Sequence, residues 1–376
     1  MIPTKPKIAI FINGGIATGH FSEGDAVITQ HLAELAKAYS LTIFSLVKTD
    51  TKQVLPFRVI DLPFDHQKNV WLRTSLLFLK FLRHQILHPA QIFHGFGGFP
   101  AGFLAVLLGK FFRKKSVVTL LGGEYITLPS IQYGLWQHKR LRPFLRFTLQ
   151  KTDELVILTD TAARQIKENF PFERAYHKIP FGINTQLFTP NPKNPTEPFR
   201  FLHVASLNRV KNQSLLLHVF QQINEVFPAY LTLIGEDNLN GQLQQLANTL
   251  GIAHKVTFIA RVSHYDLPVY YAQADLLLHT SYSESQATVV NEALACGVVV
   301  CGTRVGIIAD LEGQITTAVT VEDGEELTKK ALELLSNPQK YNDLREKGIA
   351  WSKKNNLEVQ AQKYIDLYRT LLTTSN

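Results

Sequence analysis

Residues 274–306 read ADLLLHTSYSESQATVVNEALACGVVVCGTRVG, and the fold of the chain is decided here. Leu276 to His279 is a short apolar run, which predicts a buried strand. Thr280 to Ser285 are small and polar, which predicts a loop. A helix follows from about Gln286 to Cys296, and Gly297 ends it. Val298 to Cys301 is a second buried strand, and Gly302 and Gly306 mark the turn after it. Strand, loop, helix and strand in this order are the unit of a parallel sheet with helices on its faces.

Two carboxylates flank the loop-to-helix junction, Glu284 before the helix and Glu292 inside it. The helix N-terminus offers unpaired backbone N–H groups and a partial positive charge, which suit a diphosphate. Small residues at Ser283, Ser285 and Ala287 let a ligand approach the backbone, so Ser285, Gln286, Ala287 and Thr288 are candidate phosphate contacts. Glu292 is positioned to accept hydrogen bonds from ribose hydroxyls, and Glu284 from a sugar. Two acids eight residues apart occur by chance in most proteins, so the weight rests on the flanking strands and glycines.

Outward from this stretch the same alternation continues. Phe199–Ala205 is a strand, Lys211 opens a helix to Val226, and Tyr230–Ile234 and Lys255–Ile259 are further strands around a helix at 239–250. The loop Ser206 to Lys211 follows the first of these strands. Arg209 and Lys211 in it point to the same sheet edge as Glu284, a diphosphate clamp rather than two solvated cations. Asn191 to Pro198 is short, polar and Pro-rich, and reads as an inter-domain linker.

The first half repeats the pattern. Lys7–Ile12 is a strand, Gly14, Gly15, Gly19 and Gly24 punctuate a loop, and Asp25 to Ala38 has helical spacing. Leu41–Val47, Phe57–Leu62, Gln91–His94, Ser116–Leu121 and Leu155–Leu158 are strands, and Thr159 or Asp160 caps a helix to about Asn169. A glycine-bearing loop after the first strand can sit against phosphates. After residue 324 the chain is helical, with a final helix over Asn356–Leu372.

Charge is unevenly divided. Residues 1–190 hold 23 Lys and Arg against 12 Asp and Glu, a balance of +11; residues 191–376 hold 16 against 19, a balance of −3. The first half therefore meets something acidic. Residues 70–88 form a helix with Arg73, Lys80, Arg83 and His84 and no acid, which reads either as a crossover helix with a basic edge or as one lying on an anionic membrane. A second basic segment, His138 to Lys151, supports the membrane reading. The +11 half also raises nucleic acid as a partner, but no aromatic-basic module of known type is present, and no nucleic-acid partner is expected.

At 376 residues, 45% apolar and 19% charged, the chain has enough core for two globular domains. Cys296 and Cys301 read as small core residues, with a redox pair the alternative. The N-terminus lacks a signal-peptide pattern, and no run nears the about 20 apolar residues of a membrane span. A cytoplasmic location is expected, peripheral on the inner face of the membrane where the basic half docks. No metal-ligand cluster is recognisable.

The stretch Ser283-Glu284 to Glu292-Ala293-Leu294-Ala295-Cys296-Gly297-Val298 resembles the glutamate-x7-glutamate signature of the family 4 glycosyltransferases, retaining enzymes of the GT-B fold. Ser285-Gln286-Ala287 stands where a Gly-Phe-Gly type turn is usual. The stretch HKIPFGINTQLFTP, His177 to Pro190, resembles the family's text at the end of its first domain, with Asn184 in place of an Asp. Lys211 matches the family's lysine; its arginine aligns with Ser206, and Arg209 supplies that charge. Ala260 to Ser263, including Val262, matches the loop that contacts the base. The family's His-Gly-x-Asp aligns with Leu121-Gly122-Gly123-Glu124. Glu124 stands in for the Asp, and His94, at the end of the preceding strand, is the candidate substitute for the histidine, against its reading as a histidine satisfied by neighbouring backbone. The family's glycine pair aligns with Gly24-Asp25.

The resemblance spans roughly residues 7–370. It implies an α/β chain of two Rossmann-like domains with parallel sheets facing a central cleft: an acceptor domain over 1–190, a nucleotide-sugar domain over 191–355 and a helix over 356–376 crossing back to the first. It implies a retaining transferase that moves a hexose-type sugar from a UDP-sugar or GDP-sugar to an acceptor hydroxyl, with a glycan or lipid-linked acceptor in cell-surface glycan or glycolipid assembly and no cofactor. Glu284, His94 and Glu124 are the candidate catalytic residues. Arg209, Lys211, Val262, Ser285, Gln286, Ala287, Thr288, Glu292 and Gly24 are the candidate donor contacts. A glycosidase-like use of Glu284 and Glu292 is disfavoured, since it needs two carboxyls about 5–9.5 Å apart across one bond. The competing reading is a nucleotide-sugar-binding protein without transfer activity. A nucleotide-sugar epimerase shares the fold, and fold alone does not give function.

Overall fold

The structure, a computed structural model, describes residues 5–16, 26–49, 54–64, 69–170, 174–191 and 194–374. Gly24 and Asp25 lie outside the described residues. The chain divides into two compact units: one of residues 1–182 with 357–376, the other of residues 183–356.

In the first unit the elements are β1 (Lys7–Ile12), α1 (Ala26–Leu35), β2 (Ser40–Ser45), β3 (Arg58–Asp61), α2 (Val70–Leu87), β4 (Ile92–Phe96), α3 (Phe103–Phe112), β5 (Lys115–Thr119), α4 (Arg142–Lys151), β6 (Glu154–Ile157), α5 (Asp160–Asn169) and β7 (His177–Lys178). The strands pair in parallel in the order β3-β2-β1-β4-β5-β6-β7. Helices cover both faces, so the inner strands read as nearly unbroken apolar runs such as IAIFI of β1, buried throughout. Thr159 caps α5 as expected, its hydroxyl accepting from the Ala162 N–H at 3.0 Å.

The second unit contains β8 (Phe199–Val204), α6 (Gln213–Val226), β9 (Ala229–Ile234), α7 (Gln242–Thr249), β10 (Val256–Ile259), α8 (Leu267–Gln273), β11 (Leu276–His279), α9 (Thr288–Cys296), β12 (Val299–Thr303), α10 (Gly306–Asp310), β13 (Thr317–Val319), α11 (Gly324–Ser336) and α12 (Pro338–Lys354). Its strands are parallel in the order β10-β9-β8-β11-β12-β13. The sheet order turns back on itself between β8 and β11, and open sheets of this kind bind ligands beyond the carboxyl ends of the strands at that point. Ile183 and Phe188 are buried in this unit's core, so residues 183–190 pack with it. The last helix, α13 (Leu357–Thr373), belongs to the first unit, where Tyr364 and Tyr368 are buried in the core beside β1 and β4.

The deciding stretch folds nearly as its sequence predicts, with one shift. Helix α9 starts at Thr288, two residues later than the apolar spacing indicated. Ala287 is left-handed at φ 66°, and the Gln286 carbonyl accepts from the Ile307 N–H at 3.0 Å instead of starting the helix. At the other end Gly297, at φ 77°, closes a Schellman turn: the Val298 N–H reaches the Ala293 carbonyl at 2.8 Å and the Gly297 N–H reaches Leu294 at 3.2 Å. Likewise α6 begins at Gln213, and Lys211 sits on a short 3₁₀ turn before it. Among the described residues no helix is long and apolar enough to cross a membrane.

Candidate functional site

The loops after β8 and β11 leave the sheet at its switch point, and a lattice of short bonds holds them to each other. The Thr280 hydroxyl bonds to the carbonyls of Lys211 and Asn212, each at 3.0 Å, and the Tyr282 N–H donates to the Val210 carbonyl at 2.8 Å. The Thr303 hydroxyl fixes the Ser281 carbonyl from β12 at 2.7 Å. Gly302 lets β12 run this close, since a Cβ there would lie 2.3 Å from the His279 carbonyl oxygen.

This frame gathers three side chains on one oxygen. Glu284 Oε1 accepts from Lys211 Nζ at 2.6 Å, from the Ser281 hydroxyl at 2.7 Å and from His279 Nε2 at 3.0 Å. Burial alone would raise the Glu284 carboxyl, but the Lys211 charge and the His279 hydrogen bond outweigh it and hold the group far below the usual carboxylate range. Behind His279 lies His203, fully buried. Its Nδ1–H donates to the Leu278 carbonyl at 2.9 Å and its Nε2 accepts from Gln213 at 3.2 Å. Burial, then the neighbouring His279, pushes His203 down to about 3, so it stays neutral.

The second carboxylate is equally fixed. Glu292 on α9 is buried, with Oε1 3.1 Å from His264 Nε2 and Oε2 accepting from the Tyr271 hydroxyl at 2.8 Å. Burial and the Glu292 charge push the Tyr271 hydroxyl well above its ordinary value. A carboxylate has about four lone-pair positions, so these two bonds leave acceptor capacity for a ligand diol. In the same way the Lys211 ammonium spends one of its three protons on Glu284.

The structure brings Lys211, Glu284, Ser285, Gln286, Ala287, Thr288 and Glu292 into one neighbourhood, the loop and first turns of α9 with the facing β8 loop. Ser285, Gln286 and Ala287 are buried. Arg209 is exposed on the 3₁₀ turn and has no ion pair among the described residues. Val262 is half-buried after β10, packed against the core that includes Val290. Sequence reasoning missed His279, Ser281, His264 and Tyr271. His279 and Ser281 are signalled by their place beside Glu284 on a buried strand end. Nothing local ties His264 or Tyr271 to Glu292.

The two candidates in the first unit have other partners. His94 is fully buried in mid-strand. Its Nδ1 bonds to the Tyr368 hydroxyl, its Nε2 is 2.9 Å from the Thr119 hydroxyl, and its ring stacks on Phe96 at 4.2 Å. Burial, helped by His31, holds it well below the ordinary histidine value. Both nitrogens are spent within the core, which is the arrangement of a satisfied core histidine and not of a substrate-facing one. Glu124 is buried too, and its carboxylate accepts backbone N–H groups of Gly98 at 2.9 Å, Leu121 at 3.1 Å and Gly122 at 2.6 Å. It pins two loops at the carboxyl edge of the first sheet. Among the described residues no group of three or more His, Cys, Asp or Glu converges to hold a metal ion.

Residues 185–351, nearly the whole second unit, match the family described as glycosyl transferases group 1. The N-acetyl-alpha-D-glucosaminyl L-malate synthase of Bacillus anthracis is 28% identical over 244 residues, 62% of this chain and 62% of that protein. The chain thus matches less than two thirds of that relative's length. Among solved structures, a sucrose-phosphate synthase from Thermosynechococcus elongatus superposes with a TM-score of 0.85 at 20% identity, over 98% of this chain and all of that one. The Anabaena protein HepE, in complex with UDP and glucose, superposes with a TM-score of 0.74 at 16% identity, over 96% of this chain and 99% of that one. Both span the two units, and the shared fold is that of the GT-B glycosyltransferases.

Proposed function

We propose, from the match of residues 185–351 to the glycosyl transferases group 1 family, that the chain transfers a hexose-type sugar from a nucleoside diphosphate sugar to an acceptor hydroxyl with retention. The observation that carries this reading is the convergence of Lys211, His279 and Ser281 on Glu284 at the mouth of α9. Lys211, Arg209 and the first N–H groups of α9 bind the diphosphate and balance the charge that grows on it as the sugar leaves. Glu292 accepts from the ribose hydroxyls while His264 and Tyr271 fix its orientation. Glu284 accepts from hydroxyls of the sugar, and the loop bearing Val262 lies along the base.

The reaction breaks the bond between the anomeric carbon and the diphosphate oxygen. The acceptor oxygen bonds to that carbon from the same face, and its proton passes to the departing phosphate oxygen. No enzyme nucleophile is required, so Leu121 in place of a histidine is compatible with turnover. A UDP-sugar is the first donor to try, because the HepE structure that shares this fold holds UDP; a GDP-sugar is the second. The acceptor is a glycan or lipid-linked molecule at an anionic membrane, a reading supported by the +11 balance of residues 1–190 and by exposed Leu72, Leu79, Ile86 and Leu87 on α2. Flotation with phosphatidylglycerol vesicles tests the membrane part, and absence of binding overturns it.

The donor site is tested by thermal-shift titration of UDP, GDP and ADP and their sugar conjugates against the protein, Lys211→Ala and Glu292→Ala. One nucleotide is expected to stabilise the protein and to lose at least tenfold in affinity in both variants. No shift with any nucleotide overturns the donor site. Slow donor hydrolysis separates a transferase from a binding protein without turnover, and the anomeric configuration of the product tests retention.

A further inference from the structure

At the opposite edge of the first sheet, where β1, β2 and β3 begin, the structure has a cavity of about 540 Å³. Lys7 opens β1, Arg58 opens β3, and His84 and His88 lie at the C-terminal end of α2, all four lining it. Ser40 and Thr42 of β2 add polar groups, and among the described residues no carboxylate lines it. Neither Lys7 nor Arg58 has a side-chain ion pair with any described residue. The two imidazoles are 5.0 Å apart, and the Nδ1 of His84 is buried without a hydrogen-bond partner.

A cationic group at a helix C-terminus is ordinary, because it complements the helix dipole. That accounts for one histidine on α2. It does not account for Lys7 and Arg58 converging on the same cavity from two strands, where like charges repel. Burial pushes His84 down to about 4, and Arg58, His88 and Lys7 all push in that same direction. His84 is therefore neutral at pH 7 while Lys7 and Arg58 stand without a counter-charge among the described residues, and an anion bound between them would restore its proton.

We infer that this cavity binds a phosphoryl-type dianion, at a site separate from the donor site and independent of it. The source is either the phosphate of an anionic lipid or a soluble phosphorylated molecule. Exposed Ile86 and Leu87 beside His88, and Val54 beside Leu55 of the lining, give a lipid headgroup an apolar border. Among the described residues, the groups that face His84 are Lys7 on β1, Arg58 on β3, His88 on α2 and the Phe44 ring on β2 at 5.4 Å, and none of them is an acid. Anion binding then takes up a proton and tightens as pH falls.

The probe is sulfate, which stays a dianion from pH 5.5 to 7.5. It is titrated at constant ionic strength into the full chain while the imidazole resonances of His84 and His88 are followed, assigned with His84→Gln and His88→Gln. Both resonances are expected to move together and saturate, with at least fivefold tighter binding at pH 5.5 than at 7.5. Arg58→Glu should abolish the movement, and Lys211→Ala at the donor site should leave it intact. Lys7→Glu repeats the test on a second strand, and the circular dichroism melt of each variant shows that it is folded. No movement of either resonance, or movement that survives both charge reversals, overturns the proposal. Co-sedimentation with phosphatidylglycerol vesicles against phosphatidylcholine then identifies the source. Loss of lipid binding in Arg58→Glu supports a lipid phosphate, and unchanged lipid binding with the sulfate response lost supports a soluble one.

Discussion

At the scale of single residues, the buried histidines set the pH response. His31 on α1 is fully buried, with both ring nitrogens unpartnered and its ring against Phe181 at 5.5 Å and Tyr364 at 4.7 Å. Burial lowers it from 6.5 to about 3. Above pH 6.5 both the folded and the unfolded chain carry it neutral. Below that the unfolded chain takes up a proton that the folded one refuses, so stability falls with pH until about 3, where the folded histidine also titrates. The slope is about 1.4 kcal/mol per pH unit for one such group. His31→Leu removes the titration and keeps an apolar side chain among aromatic neighbours. Urea unfolding between pH 6.5 and 4.5 should show a slope shallower by about that amount, with the variant at least as stable as the parent at pH 5. An unchanged slope would mean that the His31 site opens before the first unit unfolds.

At the scale of elements, α9 shows what the sequence displays and what it conceals. Its end was legible, since Gly297 is one of the few residue types that readily take the left-handed turn closing the helix. Its two flanking strands were legible too: LLLH of β11 is buried without a break because helices cover both faces. Its start was concealed, because apolar spacing continues through Gln286 and Ala287 while the backbone does not. Ala287 holds a left-handed conformation at φ 66°, which costs a residue with a Cβ about 1 kcal/mol. Ala287→Gly relieves that strain, partly offset by the greater freedom glycine has when unfolded. The expected result is a gain of about 0.5 kcal/mol, read as a rise in the urea midpoint with nucleotide affinity retained within twofold. A loss of stability would show that the methyl group's packing outweighs the backbone strain. Glu292 makes the same point for the site. The glutamate stood out by its spacing, whereas His264 after β10 and Tyr271 on α8 join it only through tertiary packing, from 28 and 21 residues away in the chain.

At the scale of the whole molecule, strand-helix alternation was enough to read two parallel sheets, because hydrophobic period and turn residues are local signals. The membership of the last helix was not a local signal. Nothing in the apolar spacing of residues 357–373 says that Tyr364 and Tyr368 meet Thr119 and His94, more than 240 residues earlier in the chain. That contact also occupies His94, a catalytic candidate of the sequence, whose partners come from α13 and β5 and are not its neighbours in sequence. Ala361, Tyr364, Leu367, Tyr368 and Leu371 are all buried in the first unit's core. At about 1.5–3 kcal/mol for each large apolar side chain, their loss is comparable to the about 5–15 kcal/mol that holds a typical domain together. A chain ended at Asn356 should therefore lose the cooperative melt of its first unit. The fragment 183–356 keeps its own sheet, the Glu284 cluster and the Glu292 pair, and should fold alone and bind the same nucleotide as the full chain within about tenfold, a difference of about 1.4 kcal/mol. Calorimetry of the truncated chain and nucleotide titration of the fragment check the two halves of this prediction. A truncated chain that still melts as the parent does would show that α13 is dispensable to its unit. A folded fragment that binds no nucleotide, beside a full chain that does, would mean that the donor site needs residues outside 183–356.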